Sequence, residues 1–319
     1  MATFAPRTFI RHPALASAAI LSAAGTAYYL SRPNFALDSA QNAPNKTLSL
    51  PKNMLFSQLL KVTSVEQINH DTKKITFELP GGKSEVSGVS PGGAILTQHT
   101  PEGAWFPVLR PYTPIHDLDE RGTLQLLVKK YPNGKASSYI HSLQPGESLK
   151  VRGPLPGAGY KASPDKSHSI LLVAGGAGIT PIYSLTKGIL ADEEDNTRIQ
   201  LVWGVNGTRD IILKEQLEEL KRKFPDRLDV TYCVSGPEGK ADAPSLAAGA
   251  SGEEYRKGYV NESVIKEVVS KIQGAGKTWG DAKGTKVFLC GPPTMEDAVA
   301  GKQGVLAALG VTKKEVYKF

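Results

Sequence analysis

The run Ser169-Ile170-Leu171-Leu172-Val173-Ala174 passes straight into Gly175-Gly176-Ala177-Gly178-Ile179-Thr180-Pro181, and this stretch leaves the chain little structural choice. A short, nearly continuous apolar run suits a strand buried on both faces, which belongs to parallel sheets flanked by helices. The glycines let the backbone turn sharply and come close to another group. Pro181 suits the first turn of a following helix, where its missing N–H forfeits nothing. Downstream the pattern alternates. Strands are expected at Arg198–Gly204, Leu228–Val234 and Val287–Cys290, with helices at Ile212–Phe224 and Asn261–Ile272. That order is doubly wound α/β.

Upstream the pattern differs. Phe56–Val65, Lys74–Leu79, Ala94–Gln98, Ala104–Ile115, Gly122–Lys130 and Ser148–Gly153 are apolar or alternating, and are divided by turns such as Pro80-Gly81-Gly82 and Pro91-Gly92-Gly93. Several short strands between such turns predict a small antiparallel β-barrel. The expected organisation is therefore an N-terminal segment over 1–37, a linker over 38–50, a barrel over 51–156, a connection over 157–167 and an α/β domain over 168–319.

With 319 residues, 40% hydrophobic and 22% charged, the chain has the balance of a soluble two-domain protein plus an extension. Its formal net charge of +7 suits an acidic protein partner or an anionic surface better than nucleic acid. Cys233 and Cys290 are the two cysteines and form no C-x-x-C, which excludes a disulfide scaffold and a cysteine-ligated metal centre.

Residues 1–37 hold no acid, carry Arg7 and Arg11 ahead of the apolar stretch Ala14–Leu30, and end near Arg32 and Pro33. An acid-free start bearing Arg and Ser is the composition of a mitochondrial targeting segment. As a helix, the stretch would measure about 26 Å against a hydrocarbon core of ~30 Å. A transmembrane signal-anchor, a cleaved presequence and a secretory signal all remain open, the first being preferred.

Three further segments carry candidate chemistry. Arg110-Pro111-Tyr112-Thr113 offers a planar cation suited to a diphosphate, a stiffened backbone, an aromatic face and a hydroxyl. Arg110 and Tyr112 lie on one side of a strand, since side chains alternate. Gly134-Lys135-Ala136-Ser137 is a glycine turn at a helix start, where free N–H groups favour anions and Ser137 adds a hydroxyl. Cys290-Gly291-Pro292-Pro293-Thr294-Met295 follows a strand at the sheet edge where α/β proteins bind ligands, with Pro292-Pro293 expected to set an extended turn. Each alone has an ordinary structural reading: a surface Arg, a capped helix, a core cysteine. The glycine turn also departs from G-x-G-x-x-G by ending on Pro181.

In this order the motifs resemble the ferredoxin–NADP reductase superfamily, and within it the NADH–cytochrome b5 reductases, over residues 51–319. The resemblance implies an FAD-binding barrel joined to an NADH-binding domain, and hydride transfer from NADH to FAD followed by one-electron transfers to cytochrome b5 or a similar haem protein. It implies that Arg110 and the Gly134, Lys135, Ala136 and Ser137 segment hold the FAD diphosphate, that Tyr112 lies along the flavin, and that Pro111 and Leu127 are also cofactor-binding. Thr113, Lys129 and Cys290 take the catalytic places. Gly176 and Gly178 admit the NADH diphosphate and Thr180 touches the flavin across the cleft, with Gly175, Pro181, Gly291, Pro292, Pro293 and Met295 also cofactor-binding and Cys290 setting the nicotinamide over the flavin. The preferred N-terminal reading becomes a single-pass anchor in the mitochondrial outer membrane. The alternatives are a reductase of the same superfamily serving an oxygenase or a quinone, and a flavin-free, membrane-tethered NAD(H)-binding module.

Overall fold

A computed structural model describes residues 45–48, 56–117, 119–155, 169–236, 255–273 and 286–319. The expected N-terminal anchor and most of the expected linker and connection lie outside these. Among the described residues no helix is long and apolar enough to cross a membrane.

The first half begins with β1 (Asn45–Lys46), β2 (Gln58–Gln67), β3 (Thr72–Glu78), β4 (Glu85–Val86), β5 (Ala94–His99), β6 (Val108–Tyr112) and β7 (Thr123–Lys129). Helix α1 (Lys135–Ser142) and β8 (Ser148–Leu155) complete it. Six strands form one antiparallel sheet in the order β6-β5-β8-β2-β3-β7. Alternate residues point inward, so Leu60, Val62, Ile75, Phe77, Ile95, Leu124, Leu126, Val128, Leu149 and Val151 share one core. Where a barrel was expected, the described strands form an open six-stranded antiparallel sheet. Among the described residues β6 and β7 do not pair, and Pro111, which lacks an N–H, helps keep β6 an edge. Helix α1 packs against β5, β6 and β7 instead. It adds Ile140 to the core and a His141 ring contact, Nε2 to the Val128 carbonyl, at 2.7 Å.

Two expectations change here. The end of the expected linker belongs to the first half: β1 pairs with β4, and Leu48 is buried to 1% exposure in the same core. The strand expected over Ala104–Ile115 shortens to β6, leaving Trp105 and Phe106 exposed in the preceding loop. Pro107 bounds the strand on that side.

The second half contains β9 (Ser169–Gly175), α2 (Ile179–Ala191), β10 (Arg198–Val205), α3 (Lys214–Lys223), β11 (Leu228–Val234), β12 (Tyr255–Lys257) and α4 (Glu262–Gln273). It continues with β13 (Lys286–Cys290), α5 (Pro293–Ala300), α6 (Val305–Ala308) and β14 (Val316–Lys318). All six strands are parallel, in the order β12-β11-β10-β9-β13-β14. Ile170, Leu172 and Ala174 of β9 pack toward α2 and α3, while Leu171 and Val173 pack with α4, α5 and α6. The apolar run Ile170–Ala174 is thus buried on both sides, as expected. Strand order reverses at β9, which has β10 on one side and β13 on the other. A crevice at the carboxyl ends of β9 and β13 follows from that topology.

The expected extended turn at Pro292-Pro293 is a helix start. Pro292 is the cap residue and Pro293 the first residue of α5, a position that tolerates proline.

Candidate functional site

On the first half, β6 delivers Arg110 and Tyr112 on one side, paired with Thr97 and Ile95 of β5. Arg110 is exposed; its Nη1 donates to the Leu109 carbonyl at 2.8 Å, and no carboxylate among the described residues pairs with it. A planar cation in that state is available to an anion. Tyr112 packs against the core, and burial pushes its phenol up to about 12, with the Tyr131 phenol adding to the rise and Arg110 opposing it. It therefore acts as a neutral ring and donor. Pro111 is exposed on the opposite side and Thr113 is buried.

The anion-facing turn is built by Tyr131-Pro132-Asn133-Gly134. Asn133 has φ 60° and the Gly134 N–H closes the turn on the Tyr131 carbonyl at 3.0 Å, a type II arrangement that proline and asparagine favour. Helix α1 starts there, and its first-turn N–H groups lack helical acceptors. Ser137 departs from expectation: its hydroxyl donates to the Gly134 carbonyl at 3.1 Å and accepts from the Tyr131 N–H at 3.2 Å. It braces the turn, and the backbone is left to serve an anion. Ala136 is buried beside it, while Lys135 is exposed.

Strand β7 presents Gln125, Leu127 and Lys129 on the face away from its own core. Leu127 is buried among the apolar residues of the α/β half, so it backs the junction rather than an open pocket. Lys129 reaches the same junction, but its ammonium is already shared: Nζ lies 2.5 Å from Asp71 Oδ2 and 3.6 Å from Asp210 Oδ1. Burial alone would raise the Asp71 carboxyl. The Lys129 and Thr72 hydrogen bonds and the charges of Lys129 and His70 outweigh it and hold it below its usual value.

On the second half, Gly175-Gly176-Ala177-Gly178 links β9 to α2 through one 3₁₀ turn. Gly176 has φ 52° and faces open space, where a backbone can meet a diphosphate. Gly178 needs to be glycine for another reason, since a methyl there would collide with the Cys290 carbonyl. Thr180 turns its hydroxyl back to the Ala177 carbonyl at 3.3 Å, and Pro181 is buried in the first turn of α2. Met295 packs onto Gly175 and Gly291. Pro292 and Pro293 are exposed. Burial, reinforced by the Glu296 charge, pushes the Cys290 thiol up to about 12. It is a neutral, polarizable group at the sheet edge, not a thiolate nucleophile.

The two sides meet. Ile115, two residues beyond Thr113, and Leu127 of β7 are buried in the apolar cluster of the α/β half against which Cys290 packs, and Tyr131, whose phenol burial pushes up, stands two residues beyond Lys129. Sequence reasoning missed Tyr131, although it directly precedes the Pro132-Asn133-Gly134 turn. It also missed Asp71 and Asp210, whose importance comes from a pairing between distant segments.

Residues 59–160 match the family described as the oxidoreductase FAD-binding domain, and residues 172–301 the one described as the oxidoreductase NAD-binding domain. An NADH-cytochrome b5 reductase 2 of Pyricularia oryzae is 38% identical over 286 residues, covering 86% of this chain and 78% of the relative. The chain belongs to the NADH–cytochrome b5 reductase family. A second such reductase, from Aspergillus fumigatus, is 37% identical over 270 residues, 82% of this chain and 76% of the relative. The cytochrome b5 reductase domain of Ulva prolifera nitrate reductase shares the fold, with a TM-score of 0.66 and 24% identity over 83% of this chain and 97% of that one. Amycolatopsis cytochrome P450 reductase GcoB shares it too, with a TM-score of 0.62 and 22% identity over 82% and 69%. The NADH–cytochrome b5 reductase family thus accounts for both halves and their order.

Proposed function

We propose that this chain is an FAD-dependent NADH–cytochrome b5 reductase. The observation that carries the reading is the burial of Ile115 and Leu127 in the α/β cluster against which Cys290 packs, in a chain whose two halves match FAD- and NAD-binding families. FAD held there would supply the redox chemistry that joins a two-electron hydride donor to a one-electron haem acceptor. The residues bind and orient. Arg110 and the first-turn N–H groups after Gly134 would hold the FAD diphosphate, while Tyr112 would offer the flavin an aromatic face and Thr113 a hydroxyl. The open backbone at Gly176 receives the NADH diphosphate, and Cys290 supports the nicotinamide from the sheet edge. Tyr131 shields the cleft between them.

NADH is the expected donor. The exit of β11, Cys233-Val234-Ser235-Gly236, carries no acid to repel a 2′-phosphate, and Arg209 is exposed nearby in sequence after β10, so NADPH is expected to be a slower substrate rather than an excluded one. The decisive measurement is the absorption spectrum of the purified protein before and after anaerobic NADH. A yellow protein that bleaches supports the assignment, and a colourless one that binds NADH refutes it. Reduction of purified cytochrome b5 tests the acceptor.

For the N-terminal segment, the support is sequence alone: Arg7 and Arg11 before an acid-free apolar stretch. We read it as a single-pass anchor in the mitochondrial outer membrane. The alternative is cleavage that releases an intermembrane-space form. Alkaline carbonate extraction of mitochondria expressing the tagged full chain separates the two, since a spanning helix stays with the pellet.

A further inference from the structure

Two unlike kinds of contact join the halves. On one side, Pro91 lies against Gly188, and Gly92 against Leu185 and Phe319. The Gly92 N–H donates to Ser184 Oγ at 3.1 Å, and Ile115 and Leu127 are buried in the core of the α/β half. That side is packed and mainly apolar, with one ion pair at its rim, Lys187 of α2 to Asp117, where Lys187 also donates to the Ile115 carbonyl at 3.4 Å. On the other side the contacts are polar. Asn69 Nδ2 donates to the Arg209 carbonyl at 3.0 Å, and Lys129 bridges Asp71 and Asp210. His70 Nε2 lies 3.8 Å from the same Asp210 Oδ1. The Lys129 and Asp71 side chains are each 22% exposed, so solvent and salt reach them.

Asp210 is held for this contact. Its Oδ2 accepts the Gly207 N–H at 3.0 Å, which fixes the carboxylate on the turn after β10. Its Oδ1 is buried with no hydrogen-bond partner among the described residues, and points at Lys129 and His70 from beyond hydrogen-bond distance. A buried oxygen left in that state gains when a cation moves closer. We infer that Asp210 is a positioning residue: by holding Lys129 across the junction it latches the α/β half onto the first half, with the Pro91–Gly92 contact as the hinge. The inference rests on the proposed function only in what the latch aligns, namely nicotinamide with flavin. An error of about 1 Å in such an alignment costs about a hundredfold in rate.

Asp210→Asn tests this, because the amide oxygen still accepts from Gly207 while the charge is gone. In the flavin-loaded protein, amide hydrogen exchange at residues 69–72 and 208–211 is expected to quicken about tenfold, with exchange at Gly92 unchanged. Stopped-flow reduction of the flavin by NADH is expected to slow about tenfold. Asp210→Glu should restore both. Added salt should slow the parent protein more than Asp210→Asn, in which the Lys187–Asp117 pair is the remaining ion pair between the halves among the described residues. Unchanged exchange, equal loosening at Gly92, or an unaltered salt response overturns the latch and leaves an ordinary ion pair. If Asp210→Asn fails to fold, Asp210→Ser keeps a capping oxygen and carries the same readouts. Should NADH fail to bleach the parent protein, the functional reading falls, while the exchange data still judge the latch.

Discussion

Arg110 and His116 show how single side chains take on opposite duties. Arg110 is exposed with no carboxylate partner among the described residues, so its cation is unspent. Arg110→Ala is expected to leave the fold intact and lose most bound flavin, measured as the flavin-to-protein ratio after gel filtration. Full occupancy would refute the diphosphate clamp. His116 is buried between Ser87 Oγ at 3.1 Å and the Gln125 N–H at 3.4 Å. Burial pushes its pKa down to about 4, with the Lys187 charge assisting and Glu120 and Asp117 opposing. An unfolded histidine protonates near ~6.5. Between these values the unfolded chain binds more protons, so stability falls as pH drops from about 6.5 to about 4, by roughly 3 kcal/mol at most. His116→Gln should flatten that slope in urea titrations at pH 7 and pH 5. The placement of Arg110 beside Tyr112 on one side of a strand was legible in the sequence, because it needs only local alternation. His116, Asp71 and Asp210 were not, because their surroundings come from segments far apart in the chain.

Elements were legible where one periodicity ruled. The run Ile170–Ala174 announced a strand buried on both sides, and β11 spans the residues expected of it. Signals failed where an element was too short to show a period, as at β1, β12 and β14. Proline also misled: Pro292-Pro293 reads as an extended turn, yet capping geometry makes it a helix start. The linker composition of residues 38–50 concealed Leu48, whose place in the core depends on β1 pairing with β4. Leu48→Ala should therefore destabilise the first half by about 2–5 kcal/mol, a core cavity's effect, seen as a lower urea midpoint. A change within error would return this segment to the tether. Gly178→Ala is a sharper test of the cleft, since its methyl would strike the Cys290 carbonyl backbone, which cannot rotate away. NADH affinity should fall at least tenfold, a loss of about 1.4 kcal/mol, while flavin content holds.

Across the whole molecule, the net charge of +7 invites an acidic partner, but the cations are not equally free to meet one. Lys129, a natural candidate for docking, is held by Asp71 and Asp210. Lys73 donates to the His141 carbonyl at 2.8 Å, and Lys74 pairs with Glu66. Lys130 is exposed beside the turn that carries Tyr131, and among the described residues no carboxylate pairs with it. A haem protein approaching the cleft edge would therefore be steered by Lys130 more than by the lysine next to it. Long-range attraction of this kind raises the association rate and weakens with salt. Lys130→Glu is expected to raise the KM for cytochrome b5 by about three- to tenfold at low salt, with the difference shrinking above a few hundred millimolar. Flavin reduction by NADH should be untouched, because Lys130 points away from the face that carries Leu127 and Lys129. Equal KM values for both proteins at low salt would place the haem partner on another face of the molecule.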